Sequence, residues 1–200
     1  MRADASAQPA TTQSVLELIH GDPQLAAIDA EVRRRMHCDS AHDFAHLLRV
    51  ASWTLRLGGN AVSPRLAIAA ALLHDVVNVP KNYPRRAQAS ELCATAAREI
   101  VATQGFSECE ITLVADAVRD HSFSRGAIPE SPLGCALQDA DRLEAIGVLG
   151  TFRCIATGVR MNASFFDADD PWAQNRQLDD TRFSVDHFFT KLLQIGRAHV

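Results

Sequence analysis

Four segments that otherwise read as core each carry an imidazole or a carboxylate where packing alone favours leucine. His42 and His46 lie one turn apart in HDFAHLLRV, His74-Asp75 interrupts the apolar run AALLHDVVNVPKN, His121 sits in RDHSFSR, and Asp139 and Asp141 sit in ALQDADRLEAIG. An unpaired charge in a core is costly, so each interruption needs an explanation. Converging on one point, these groups make a mixed nitrogen and oxygen site, in which one divalent cation compensates several buried ligands at once. Singly, each has a plainer reading. His42 is a solvated ring near a helix start, His46 a satisfied core histidine, and Asp141 a partner for Arg142 or Arg153. His121 is a cation favoured by a helix C-terminus. Asp139 points about 200° away from Asp141 around a helix and reads as a structural carboxylate.

The elements that must position these groups are helical. Leu25 to Met36 has apolar residues three or four apart, and a second helix runs from about His42 to Leu57, before Gly58-Gly59. Ser63-Pro64 opens a third helix through about Val76, as a cap followed by proline at the first helical position. Ala87 to Thr103 is a fourth, and Ser107 with Glu110 forms a capping box that starts a fifth, ending near His121. Leu133 to Ile146 and Val148 to Val159 follow, parted by Gly147; the stretch MNASFFDADDPWAQNRQLDDTRFS is polar and irregular, and Asp186 to Gln194 resumes a helical pattern. No alternating strand pattern appears, so the fold class is all-α, a compact multi-helix bundle.

Composition narrows the function classes. With 47% hydrophobic and 22% charged residues the chain is ordinary for a globular domain. A net charge of -4 gives no general electrostatic case for nucleic acid or membrane surfaces. No apolar run reaches the roughly 18 residues of a spanning helix. Residues 1–20, beginning MRADASAQPATTQ, lack the pattern of a signal peptide and are expected to form a disordered arm. Five dispersed cysteines without a CxxC pair suggest reduced core thiols and a cytoplasmic protein. The last six residues, Ile195 to Val200, match what a sequencing-library adapter encodes when read through in one frame. Residues 195–200 are therefore expected to be an artefactual tail on a C-terminally truncated domain spanning 21–194.

Taken in chain order, His46, then His74-Asp75, then Asp141 resembles the His…His-Asp…Asp signature of the HD superfamily of metal-dependent phosphohydrolases. HDFAHLLRV, ALLHDVVNVPKNYPRRAQAS, RDHSFSRG and LQDADRLEAIGVLG look like the YedJ/YpgQ-like branch, and the resemblance covers roughly Leu25 to Leu193. It implies an HD-domain bundle in which His46, His74, Asp75 and Asp141 are the metal ligands. Two imidazoles and two carboxylates suit a borderline divalent ion such as manganese, with positions left for water and a phosphate oxygen. Asp75 and His121 are then the catalytic candidates, His121 for positioning phosphate or protonating the leaving group. His42 and Asp43 are assigned to orienting His46 or Asp75, with substrate contact a second role for His42. In the loop VPKNYPRR, stiffened by Pro80 and Pro84, Lys81, Arg85 and Arg86 are candidates for neutralising phosphate oxygens.

The resemblance implies hydrolysis of a small phosphorylated molecule, a nucleoside or deoxynucleoside triphosphate cleaved to release pyrophosphate. Two alternatives stay open: a phosphodiesterase on a cyclic or linear dinucleotide, and a catalytically silent regulatory module. Only His121 lies between the His-Asp pair and Asp141, which favours one metal over two.

Overall fold

The computed structural model describes residues 11–36, 43–77, 79 and 88–195. Among these the order is α1 (Thr12–Gly21), α2 (Pro23–Arg35), α3 (Phe44–Gly58), α4 (Pro64–Leu73), α5 (Ala89–Thr103), α6 (Glu108–Asp120), α7 (Pro132–Glu144), α8 (Gly147–Arg160) and the short α9 (Asp186–Thr190). No strand is present among the described residues; one isolated bridge joins Ser164 to Phe183. The expected all-α bundle is what forms.

At the centre lies α4. Every residue from Leu66 to Leu73 is buried, and four of them are alanine. Small side chains let α2, α3, α6 and α7 all approach the same helix. Around it, α3 lies along α7 and α5 along α6, with Val15 and Ile19 of α1 and Leu25, Ile28 and Val32 of α2 completing the core.

Local chemistry explains where the helices begin. Asp22 caps α2 by accepting from the amides of Gln24 and Leu25, with Pro23 at the first position. Ser107 and Glu110 close the expected capping box at the head of α6. Pro64 opens α4 as predicted, but that helix stops at Leu73 and not near Val76. The disordered arm expected over residues 1–20 is corrected from Thr12 onward. Thr11 and Ser14 cap each other, and the helix buries Val15 and Ile19, an apolar pair one turn apart that anchors it to the core.

Beyond α8 the chain is irregular, as expected, yet it is tied down. Asp186 is fully buried and accepts both Nη1 and Nη2 of Arg176, at 2.5 and 2.8 Å, together with the Asp179 amide at 2.7 Å. This segment comes so close to α8 that a Cβ on Gly158 would stand 2.1 Å from the Ser184 hydroxyl. At the start of α8, a Cβ on Gly150 would stand 2.2 Å from the Ala145 carbonyl, which only glycine tolerates. The cysteine expectation needs one correction. Of Cys93, Cys109, Cys135 and Cys154, only Cys93 is buried in the core.

Candidate metal centre

Two of the histidines reach the site by the same device. His74 is the C-cap of α4 and His121 the C-cap of α6. Each ring turns back on its own helix end, with Nδ1 on the carbonyl three residues earlier: Ala71 at 2.8 Å for His74, Val118 at 2.6 Å for His121. A carbonyl only accepts, so Nδ1 carries the proton in both rings and a carbonyl left over at each helix end gains a partner. The consequence is chemical. With Nδ1 engaged as a donor, Nε2 is the nitrogen each ring presents, and both are aimed away from the helix that holds them.

His46 comes from the first turn of α3. Asp43, the N-cap residue, accepts its backbone amide at 2.8 Å and fixes where that turn starts. Asp43 therefore orients His46 through its main chain, not through its ring. The three rings stand in a row, with centroids 5.3 Å apart for His46 and His74 and 5.0 Å for His74 and His121.

The carboxylates close the cluster. Asp141, on α7, places Oδ1 3.6 Å from His46 Nε2 and 3.8 Å from His74 Nε2. Asp75 has one oxygen 3.5 Å from His74 Nε2 and the other 3.9 Å from His121 Nε2. Ligand atoms of His46, His74 and Asp75 all lie within 4.8 Å of one another. His74 Nε2 is buried and has no hydrogen-bond partner. A buried lone pair with nothing to accept, facing two carboxylates and a second imidazole, is the donor set a divalent cation satisfies.

Burial sets the protonation states. It pushes His46 down to about 4, so that ring is neutral at pH 7 and its lone pair is available. Burial also lowers His121. For Asp141 burial alone would raise the carboxyl, but His74, His121, His46 and Lys191 outweigh it and hold the group at about 2.

Sequence reasoning missed three participants. Glu144 lies one turn beyond Asp141, is buried, and accepts Arg49 Nε at 2.7 Å while its other neighbour is His46 Nδ1 at 3.5 Å. The three-residue step from Asp141 could have flagged it, since such pairs share a helix face. Arg153 of α8, considered only as a partner for Asp141, donates Nη2 to His46 Nε2 at 3.1 Å. Lys191 comes from the far end of the chain and lines the same cavity. Asp139 is only partly buried and lies outside the cluster that can hold a metal, as its turn around the helix predicts. His42, Lys81, Arg85 and Arg86 fall outside the described residues.

The cluster opens into a cavity of about 490 Å³, large enough for a small ligand and walled by both α8 and the C-terminal segment. Residues 43–146, just over half of the chain, match the HD domain family. The chain belongs to the HD family. That span holds α3 to α7, and with them His46, His74, Asp75, His121 and Asp141. The chain is 29% identical to the uncharacterized protein YpgQ of Bacillus subtilis over 162 residues, 78% of this chain and 70% of that one. The crystal structure of YpgQ in complex with ADP superposes with a TM-score of 0.59 at 24% identity, covering 84% of this chain and 80% of that one. A Lactobacillus plantarum protein superposes with a TM-score of 0.66 at 24% identity over 87% and 82% of the two chains. A predicted HD superfamily hydrolase from an uncultured Thermotogales bacterium reaches 0.55 at 26% identity over 92% and 95%. The family resemblance read from the motifs thus holds, and the protein is an HD-domain hydrolase. HD domains bind divalent metals, and His46, His74 and Asp75 are a group that could hold one. No helix among the described residues is long and apolar enough to cross a membrane.

Proposed function

We propose that this HD hydrolase is a divalent-metal-dependent phosphohydrolase acting on nucleotides, with His46, His74, Asp75 and Asp141 as metal ligands. The observation that carries the reading is the buried, unpartnered Nε2 of His74 facing Asp75, Asp141 and His46. Manganese suits this mixed set of imidazole and carboxylate donors. Bound there, a divalent cation polarises a phosphoryl oxygen and supplies a water that ionises near neutral pH.

The protein's own groups do the rest. The Ala71 and Val118 carbonyls hold His74 and His121 in the tautomer that presents Nε2. His121 stands beside Asp75, with Nε2 3.9 Å from Oδ1, and lines the cavity, where it is the candidate for positioning phosphate or serving the leaving group. Asp75, the most solvent-accessible ligand, receives the proton of the attacking water. A cation held by His46 Nε2 would displace the Arg153 contact, and the Arg153 guanidinium, which lines the same cavity, would then be placed to take a phosphate oxygen. Lys81, Arg85, Arg86 and His42 remain further candidates for phosphate contacts. That the relative YpgQ has been crystallised with ADP supports a nucleotide as substrate. Release of pyrophosphate from a nucleoside or deoxynucleoside triphosphate is the reaction we favour; the lone histidine between the His-Asp pair and Asp141 favours one metal and disfavours the dinucleotide phosphodiesterase.

A panel of nucleoside and deoxynucleoside triphosphates with manganese-loaded protein tests this, with pyrophosphate and orthophosphate scored separately. Pyrophosphate release that disappears in Asp75→Ala is expected. Hydrolysis that survives in Asp75→Ala sinks the mechanism.

A further inference from the structure

The cavity has a second wall, built by a part of the chain that lies beyond the matched HD domain. His187 and Lys191 line the same cavity as Asp75, His121 and Asp141. They stand one helical turn apart, since the Lys191 amide donates to the His187 carbonyl at 3.0 Å, so their side chains share a face. His187 is oriented by Asp180, whose Oδ2 is 2.7 Å from Nδ1. Lys191 reaches towards the metal cluster. Its ammonium is 5.7 Å from the centre of the Phe123 ring, two residues past His121.

The backbone beneath these two residues is fixed independently. Asp186, immediately before His187, is the buried carboxylate gripped by Arg176 and the Asp179 amide. Two basic side chains on one face, on a segment anchored from below, form a preorganised wall opposite the carboxylates of Asp75 and Asp141. An anion entering between the walls meets carboxylates on one side, which a cation must neutralise. On the other side it meets donors that bind it directly.

We propose that Lys191, with His187 beside it, is a substrate-binding residue that takes the phosphate oxygens not engaged at the metal, so that the site recognises a phosphate chain and not a single phosphate. Lys191 acts as a point charge on the chain, and His187, held through Nδ1 by Asp180, lines the cavity beside it. This assignment rests on the phosphohydrolase reading of the site. It gives the C-terminal segment, which carries no recognisable motif, the task of selecting the length of the anion.

The test is calorimetric titration of inorganic pyrophosphate into the manganese-loaded full chain and its variants, with manganese affinity measured separately. Lys191→Ala is expected to weaken pyrophosphate by about tenfold and leave manganese affinity unchanged; Lys191→Arg restores binding to within about threefold; His187→Asn costs a few-fold. Thermal midpoints and circular dichroism verify that each variant is folded, and Lys191→Gln replaces Lys191→Ala if that protein unfolds. Equal pyrophosphate affinity in wild type and a folded Lys191→Ala or Lys191→Gln overturns the proposal, as does a wild-type protein that binds manganese but no pyrophosphate. Failure of the hydrolase reading looks different: pyrophosphate binding through Lys191 with no nucleotide cleaved.

Discussion

Among the described residues, the buried charge of the C-terminal segment and that of the HD cluster are built on opposite plans. In the C-terminal segment, Asp186 faces Arg176 and the Asp179 amide, so its oxygens have donors and the group closes on itself. In the HD cluster, two carboxylates face three imidazoles at 3.5 to 3.9 Å, beyond hydrogen-bond distance, and His74 Nε2 has no partner. Both clusters are held in place by backbone groups. The difference lies in what remains unsatisfied after folding: nothing at the Asp186 carboxylate, the buried Nε2 of His74 at the HD site. The first is the signature of a structural tie, and the second of a place for a ligand.

The contrast can be broken most sharply at His74. His74→Leu has similar bulk and removes the orphaned nitrogen, so the thermal midpoint of the metal-free protein should change little. Manganese affinity should fall by more than about a hundredfold, measured by calorimetry. A large loss of metal-free stability with metal affinity retained would make the cluster structural after all. At the other site the expectation reverses. Asp186→Ala leaves Arg176 and the Asp179 amide without their acceptor, and the thermal midpoint should drop by roughly 5 to 10 °C, with manganese affinity within about twofold of wild type.

Acid distinguishes the two clusters again. The hydrogen bonds from Arg176 hold the Asp186 carboxyl below its ordinary value. A carboxyl depressed in the folded state contributes stability that is fully present above its unfolded value, near 3.8, and is lost as pH falls through the lower, folded one. Thermal midpoints should therefore decline below about pH 4 in wild type, and more shallowly in Asp186→Asn. The smallest effect is expected at Arg153. Its guanidinium sits on His46 Nε2, the nitrogen a metal needs, so Arg153→Met removes a competitor. Manganese should then bind about threefold to tenfold more tightly in the absence of substrate, a change of the size of one hydrogen bond. Weaker binding would show that Arg153 supports the ligands and does not compete with the metal.

Much of this site was legible in the residues because its ligands interrupt apolar helices, and an interruption can be seen without a structure. His46, His74, Asp75, His121 and Asp141 all break a core pattern, and all five converge. Arg153 also lies in a helical segment, but charged residues are ordinary on helices and nothing in α8 sets it apart; the one signal for Glu144 is its three-residue step from Asp141. The tautomers were not legible either. They follow from two histidines falling at helix ends, where the carbonyl three residues back fixes the ring, and the end of α4 was placed past His74 by its apolar pattern.

The sequence by itself determined the helical class, most of the helix starts and the five polar positions that make the cluster, because periodicity, capping and the cost of buried charge act locally. It also carried the family, since the order of those positions is a property of the chain. Only the tertiary structure decided that α1 belongs to the core and that His74 Nε2 is left without a partner. It alone brings Arg153, His187 and Lys191 to the same cavity as Asp75. Those facts depend on which distant segments pack together, and the residues that do the packing, Gly158 against Ser184 and Asp186 against Arg176, give no periodic signal to read.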